Sequence, residues 1–187
     1  MKNFLTILAV FISCTLMSQE KIGAYKVRQD HNGTGLSKIV TYVVTPGKRQ
    51  PTRDYLFHQE TWSLSETQYR KSGYSKCQVF PPNLAATLDH SFKAFNMKNV
   101  WPMHPTLHSG LWKMLERRVE ELANTSDSVR VICGFTGIMF YKHGLPIPTS
   151  YYKIIYTFKE GMVSREKYRF PNESPVHNNL INYLKSM

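Results

Sequence analysis

The stretch SYYKIIYTFKEGMVSREKYRF, Ser150 to Phe170, limits the fold more than any other part of the chain. Two runs rich in aromatic and β-branched residues flank Glu160-Gly161, and a glycine-containing pair at that place reads as the tight turn of a hairpin. Hairpin strands run antiparallel, so their sheet grows through short turns and needs no crossover helix at each step. More strands are expected at Ser37–Val44 (SKIVTYVV), ended by the turn TPGKRQPT, at Gly73–Phe80 (GYSKCQVF), ended by Pro81-Pro82, and within SDSVRVICGF.

Helical periodicity is clearest from Ser109 to Asn124. Leu111, Trp112, Leu115, Val119, Leu122 and Ala123 recur on one face, while Lys113, Glu116, Arg117, Glu120 and Glu121 fill the others. Ser109 is placed to cap this helix. Shorter helices are expected over Asn83–Phe92 and over Val176–Met187, at the end of the chain. Scattered strands with few helices point to an α+β fold, a mixed or antiparallel sheet with flanking helices, and not to alternating βαβ units. No repeat or low-complexity tract divides the chain, so residues 37–187 read as one domain, preceded by an irregular segment at 19–36.

The first 18 residues read as an export signal. MKN carries one positive charge, FLTILAVFI is apolar but too short to span a bilayer, and SCTLMSQ adds small residues before a polar one. Cleavage is expected near Ser18 or Gln19, giving a secreted or periplasmic protein; lipidation at Cys14 is the weaker alternative. No other stretch is apolar enough to cross a membrane as a helix. Cys77 and Cys133 would then share an oxidising compartment, where a disulfide and two buried thiols both fit the sequence.

With 24 Lys and Arg against 13 Asp and Glu, the chain carries a formal charge of +11. That excess favours polyanions such as nucleic acid, anionic lipid or acidic polysaccharide, or else serves solubility. His104 and His108 stand four apart with Pro105 between them, short of the three or four ligands zinc requires. Glu116 follows about two helical turns after His108, as a solvated carboxylate or as an outer-shell partner of a metal at the helix start. There is no Gly-rich phosphate loop before a helix and no GxSxG elbow. The aromatics of YYKIIYTFK could stack on bases, but alternation along a strand more often means one face in the core.

The run SGYSKCQVFPPNLAATLDHSFKAFNMKNVWPMHPTLHSGLWKMLERRVEEL resembles the DNA/RNA non-specific endonucleases, whose catalytic core is the ββα-metal, or His-Me finger, unit. Ser72-Gly73-Tyr74, Phe80-Pro81, Asn99, Pro102, Gly110, Trp112, Leu115 and Glu116 fix the register. VICGFTG followed by GLPIPTSYYKIIY is similar to a later strand and loop of that family, and IVTYVVTPGKRQPTRDYLFHQE to its first strand and basic turn. The likeness extends from about Lys38 to Phe170 and implies a divalent cation as cofactor and nucleic acid as partner, without sequence preference.

Departures from the family pattern fall on the residues that the resemblance implies are catalytic. The general-base histidine of the D-R-G-H motif is replaced by Gln78, and the preceding residues are Ser75, Lys76 and Cys77. The metal-binding asparagine maps onto His108, and an arginine after the Leu-Glu pair maps onto Glu120; Glu116 is retained as the second candidate metal ligand. Lys76 and Arg117 are the candidate nucleic-acid contacts. A neutral amide cannot take a proton from water near pH 7, and imidazole suits Mn²⁺ or Zn²⁺ better than Mg²⁺. Three readings follow: a degenerate nuclease that still binds nucleic acid, an active nuclease with a rearranged site, or an envelope protein-interaction module.

Overall fold

The structure, a computed structural model, describes residues 26–29, 36–47, 55–59 and 63–185. The expected export signal at 1–18, with Cys14, lies outside the described residues. Five strands form the main sheet: β1 (Lys26–Gln29), β2 (Ser37–Val44), β5 (Ser128–Lys142), β6 (Leu145–Lys159) and β7 (Met162–Pro171), side by side in that order. Every pairing in it is antiparallel. Glu160 and Gly161 join β6 to β7 with φ of 51° and 77°, the two positive values that match the twist of a hairpin. His143 and Gly144 turn β5 into β6 the same way, at 51° and 75°, a second hairpin turn absent from the sequence reading. Pro146 and Pro148 are tolerated in β6 because β7 pairs with it only as far as Ser150.

A second, two-stranded sheet carries β3 (Ser75–Gln78) against β4 (Val100–Met103), with Gln78 opposite Val100. Between them lie a 3₁₀ turn at Pro82–Leu84 and α2 (Leu88–Ala94); α1 (Glu66–Arg70) precedes β3. Asn99 closes the connection. Its amide donates to Phe80 O at 2.9 Å and Ala94 O at 2.8 Å, while its oxygen accepts from Phe80 N at 2.8 Å. After β4 a helical turn at Pro105–Leu107 and a wide π-type turn at His108–Trp112 lead into α3 (Lys113–Asn124). Strand, strand and helix thus form the expected ββα unit within an α+β fold.

The core lies between α3 and the large sheet. Leu115, Val119 and Ala123 on α3 are buried, as are Val40, Tyr42, Val129, Val131 and Ile155 on the strands beneath them. Aromatic rings join the small unit to the sheet: Trp101 stacks on Tyr151 at 5.5 Å between centroids, and Trp112 meets Tyr151 and Phe170 edge-on at 6.1 and 6.2 Å. These rings carry much of the buried apolar surface, which is the main favourable term in folding.

Several expectations need correction. The segment 19–36 is not irregular throughout, because Lys26–Gln29 pairs with β2 and so covers a backbone edge that would otherwise be open. The strand expected over Gly73–Phe80 is shorter, since Phe80 N turns to the Asn99 side chain. The helix expected at Asn83–Phe92 is divided, and Thr87 caps its second part by accepting from His90 N at 3.1 Å. No regular helix closes the described chain. Leu180–Tyr183 makes a single 3₁₀ turn, after which Leu184 bridges to Tyr168 and Lys185 N donates to Lys167 O at 2.8 Å, so the free edge of β7 captures the backbone. Cys77 and Cys133 are both buried and both free.

Candidate functional site

The start of the long helix differs from expectation, and the difference shapes the site. His104, not Ser109, is the cap: its Nδ1 accepts from Thr106 N at 3.3 Å, and Pro105 follows in the first helical position, where its missing N–H costs nothing. Ser109 instead donates its hydroxyl to Pro105 O at 2.9 Å. Asn172, at the end of β7, accepts from His104 N at 2.8 Å and donates to Pro102 O and Pro148 O at 3.2 and 3.1 Å, so the sheet holds the helix start in place. At Gly110 the backbone leaves helical geometry, with φ −98° and ψ −106°. Such wide turns recur at functional sites; this one re-aims the side chains that follow.

Gln78 from β3, Pro81, Pro82 and Asn83 from the next loop, and His108, Ser109, Lys113 and Glu116 from the helix line one open cavity of about 300 Å³. Three of the expected site residues, Gln78, His108 and Glu116, therefore line the same cavity. The Gln78 amide donates to Ala94 O at 3.1 Å, leaving its oxygen as an acceptor. Burial lowers the His108 pKa below its usual 6.5, and Lys113 lowers it further, so the ring is a neutral imidazole at neutral pH. Burial raises the Glu116 pKa above 4.5; Lys153, the Trp112 indole and Lys113 oppose that rise. The indole acts here as a nearby dipole, since among the described residues its N–H finds no hydrogen-bond partner of proper geometry.

Other expected residues lie outside this cavity. Lys76, two residues before Gln78 on β3, is engaged by the Glu66 carboxylate and rests over the Phe57 ring at 4.3 Å. Arg117 is exposed on the helix, and Glu120, one turn past Glu116, does not reach the cavity wall. His104 is spent on capping. The sequence gives Lys113 as a polar-face residue able to pair with Glu116; in the fold it also brings a cation beside His108, and the 109, 113, 116 spacing on one helical face is the signal for it. Lys153 lies behind the cavity, and no motif in the sequence points to it. It is fully buried on β6, with its Nζ 4.1 Å from the Trp112 ring centroid.

The donor set bears on the implied metal. Among the described residues, no three His, Cys, Asp or Glu side chains converge to hold an ion. His108 and Glu116 provide one imidazole and one carboxylate on the same wall, with Lys113 adding positive charge. Two such ligands do not make a closed zinc centre. They fit a divalent ion that keeps most of its water, with the imidazole favouring Mn²⁺ or Zn²⁺ over Mg²⁺.

None of the curated proteins matches the sequence. Among solved structures, one described as the EndoG/EndoGI complex, addressing the mechanism of EndoG inhibition, superposes with a TM-score of 0.75 at 18% identity, covering 90% of this chain and 79% of that one. That likeness is one of fold. The sequence profile of the DNA/RNA non-specific endonucleases matches residues 24–186, taking in the ββα unit, the cavity and the seven strands of the described residues. With β3, β4 and the helix in place and the match running almost end to end, the chain belongs to the DNA/RNA non-specific endonuclease family.

Proposed function

We propose that this chain is an exported, nuclease-like protein that has lost efficient phosphodiester cleavage and kept nucleic-acid binding. The observation that carries the reading is Gln78 in the cavity wall with its amide tied to Ala94 O, facing the cavity that holds His108 and Glu116. Its free oxygen can accept a hydrogen bond from water and so position it, but takes no proton from it at neutral pH. The general-base contribution, about 10²–10⁴ in rate, is therefore missing from that position. His108 and Glu116 would hold a divalent ion, which supplies charge stabilisation at phosphorus when bound. Lys113 offers a cation to a phosphate oxygen in the same cavity, which supports binding, whereas Glu120 replaces a positive group with a negative one.

Export rests on the reading of residues 1–18 and places the protein in a secreted or periplasmic setting. A second reading, an active nuclease with rearranged parts, draws on the neutral imidazole of His108, which can accept a proton where Gln78 cannot. Purified protein incubated with plasmid and with RNA in Mg²⁺, Mn²⁺ or Zn²⁺ separates the two. The expected result is retention of both substrates in a gel shift that weakens with salt, and cleavage that is slow in every metal. Rapid cleavage abolished by His108→Ala overturns the proposal.

A further inference from the structure

Tyr151, Lys153 and Ile155 of β6 point into the core beneath α3. The residues between them, Tyr152, Ile154, Tyr156 and Phe158, therefore lie on the opposite face of the sheet, where each is half-buried. The strand registers set cations beside these rings on that same face. Arg130 of β5 and Arg165 of β7 stand directly opposite Tyr156, one on each side, and the Arg165 guanidinium lies 5.7 Å from the centre of the Tyr156 ring. Arg169 stands opposite Tyr152 in the same way, and Lys167 opposite Ile154. Arg169 is held across the sheet, donating to the Ser150 and Thr136 hydroxyls at 3.1 and 3.4 Å. The Tyr152 ring lies down across β5, its Cζ, Oη and Cε1 filling the space that a Cβ on Gly134 would need. Glu166 is the one acid in β2, β5, β6 and β7, and it points to the other face, where it pairs with Arg118 at 3.0 Å.

Rings and cations on one acid-free face suit an unpaired nucleic-acid strand. An antiparallel sheet with aromatic rings on its outer face stacks about two or three unpaired bases, while nearby cations take the phosphates. Tyr152 and Tyr156 stand about 13 Å apart along β6, at the rise of an extended strand, which matches so short a run of bases. The rival occupants fit less well. A second copy laid on this face would set cation against cation. A lipid surface would take the charge, but a ring lying flat across Gly134 offers a stacking face and not a side chain that inserts. Duplex bases are already stacked on one another and gain nothing from the rings. The cavity is built with α3 on the other side of the sheet, so the two surfaces are separate.

We infer that the outer face of β5, β6 and β7, through Tyr152, Tyr156, Arg165 and Arg169, is a second binding surface for single-stranded nucleic acid, separate from the cavity. This goes beyond the cavity reading and does not depend on it. The test is fluorescence anisotropy of the mature protein with a labelled oligothymidylate and a labelled duplex of the same length, beside sedimentation with anionic phospholipid vesicles. Tyr156→Ala is expected to weaken oligothymidylate binding about 5- to 100-fold while changing duplex binding little, and Tyr156→Phe to restore it. Arg165→Ala should reduce the salt slope by about one unit. Made in a Lys113→Ala background, which alters the cavity, Tyr156→Ala should cost the same factor. Circular dichroism checks folding, and Tyr152→Ala and the exposed Arg165→Ala keep the test open if Tyr156→Ala does not fold. Oligothymidylate binding unchanged by the ring and Arg165 variants overturns the surface and leaves the cavity reading standing. Equal losses for single strand and duplex also overturn it. So does a face whose variants change vesicle binding or oligomeric state and not oligonucleotide binding. Oligothymidylate binding abolished by Lys113→Ala alone assigns the strand to the cavity and overturns the surface, as does a wild-type protein that does not bind the oligonucleotide.

Discussion

The ammonium of Lys153 lies 4.1 Å from the centroid of the Trp112 ring, inside the core and within electrostatic reach of Glu116. Trp112 ends the wide turn that starts the helix, so this contact connects β6 of the main sheet to the geometry of the cavity. Among the described residues the Nζ atom has no hydrogen-bond acceptor. A cation over an indole gains up to about 2 kcal/mol when desolvated, but burying an ammonium without an acceptor costs several. The desolvation cost wins. Lys153→Met keeps the volume and removes the charge, and is expected to leave stability unchanged or raise it by about 1 kcal/mol in chemical denaturation. A loss above about 2 kcal/mol would mean that Lys153 has a buried partner. Glu116 should titrate higher in the variant, because its strongest opposing charge is gone.

Stability should depend on pH through His108 and Glu116 with opposite signs. The folded pKa of His108 lies below 6.5, so between that value and 6.5 the unfolded chain binds more protons than the folded one. Its contribution is complete above pH 6.5 and is lost as pH falls through the folded pKa. Glu116 has a folded pKa above 4.5, so its contribution is complete below pH 4.5 and is lost as pH rises through the folded value. Denaturation profiles of the wild type and His108→Gln should diverge below pH 6.5, with the variant losing less stability on acidification. Parallel profiles throughout that range would show that burial of the ring leaves its titration untouched.

Gln78→His tests the missing base directly. The position lies on the cavity wall opposite the helix that carries His108 and Glu116, and the residue is only half-buried, so an imidazole fits without repacking the core. Plasmid nicking in Mn²⁺ should rise by about 10²-fold, the lower end of what a general base contributes, because Glu120 still stands in place of a cation. No gain in any metal would place the lost activity elsewhere in the cavity.

Some of this was legible in the sequence because it is local. The Glu160-Gly161 turn and the periodicity of Leu115, Val119 and Ala123 each depend on residues a few positions apart, and both appear as read. The ββα unit and the shared cavity of Gln78, His108 and Glu116 followed from the family spacing. What remained hidden depends on distant partners. The wide turn at Gly110 moves the helix start, so Ser109 does not cap and Lys113 joins the cavity. The free edge of β7 overrides the helical pattern of the last residues, and β2 recruits Lys26–Gln29 in the same manner. Nothing local distinguishes the Lys153 of YYKIIY from a surface lysine; only the alternation Tyr151, Lys153, Ile155 places it on the inward face.

Asn172 provides the sharpest contrast between a contact that matters and one that does not. It is 3% exposed and serves both strand ends and the helix start, accepting from His104 N and donating to Pro102 O, Pro148 O and the Tyr151 hydroxyl. Asn172→Ala strands His104 N and removes a shared donor from two carbonyls, for a loss on the order of 3 kcal/mol. The Arg118–Glu166 pair, with its 3.0 Å contact, looks stronger on paper, but the two side chains are 43% and 23% exposed. Water screens it, and Arg118→Ala should cost at most about 1 kcal/mol. Parallel urea titrations of the two variants measure both. Because the His104 anchor sets where His108 stands, Asn172→Ala should also weaken Mn²⁺ binding measured by calorimetry, whereas Arg118→Ala should leave it alone. Equal stability losses in the two variants would mean that Asn172 does not hold the site.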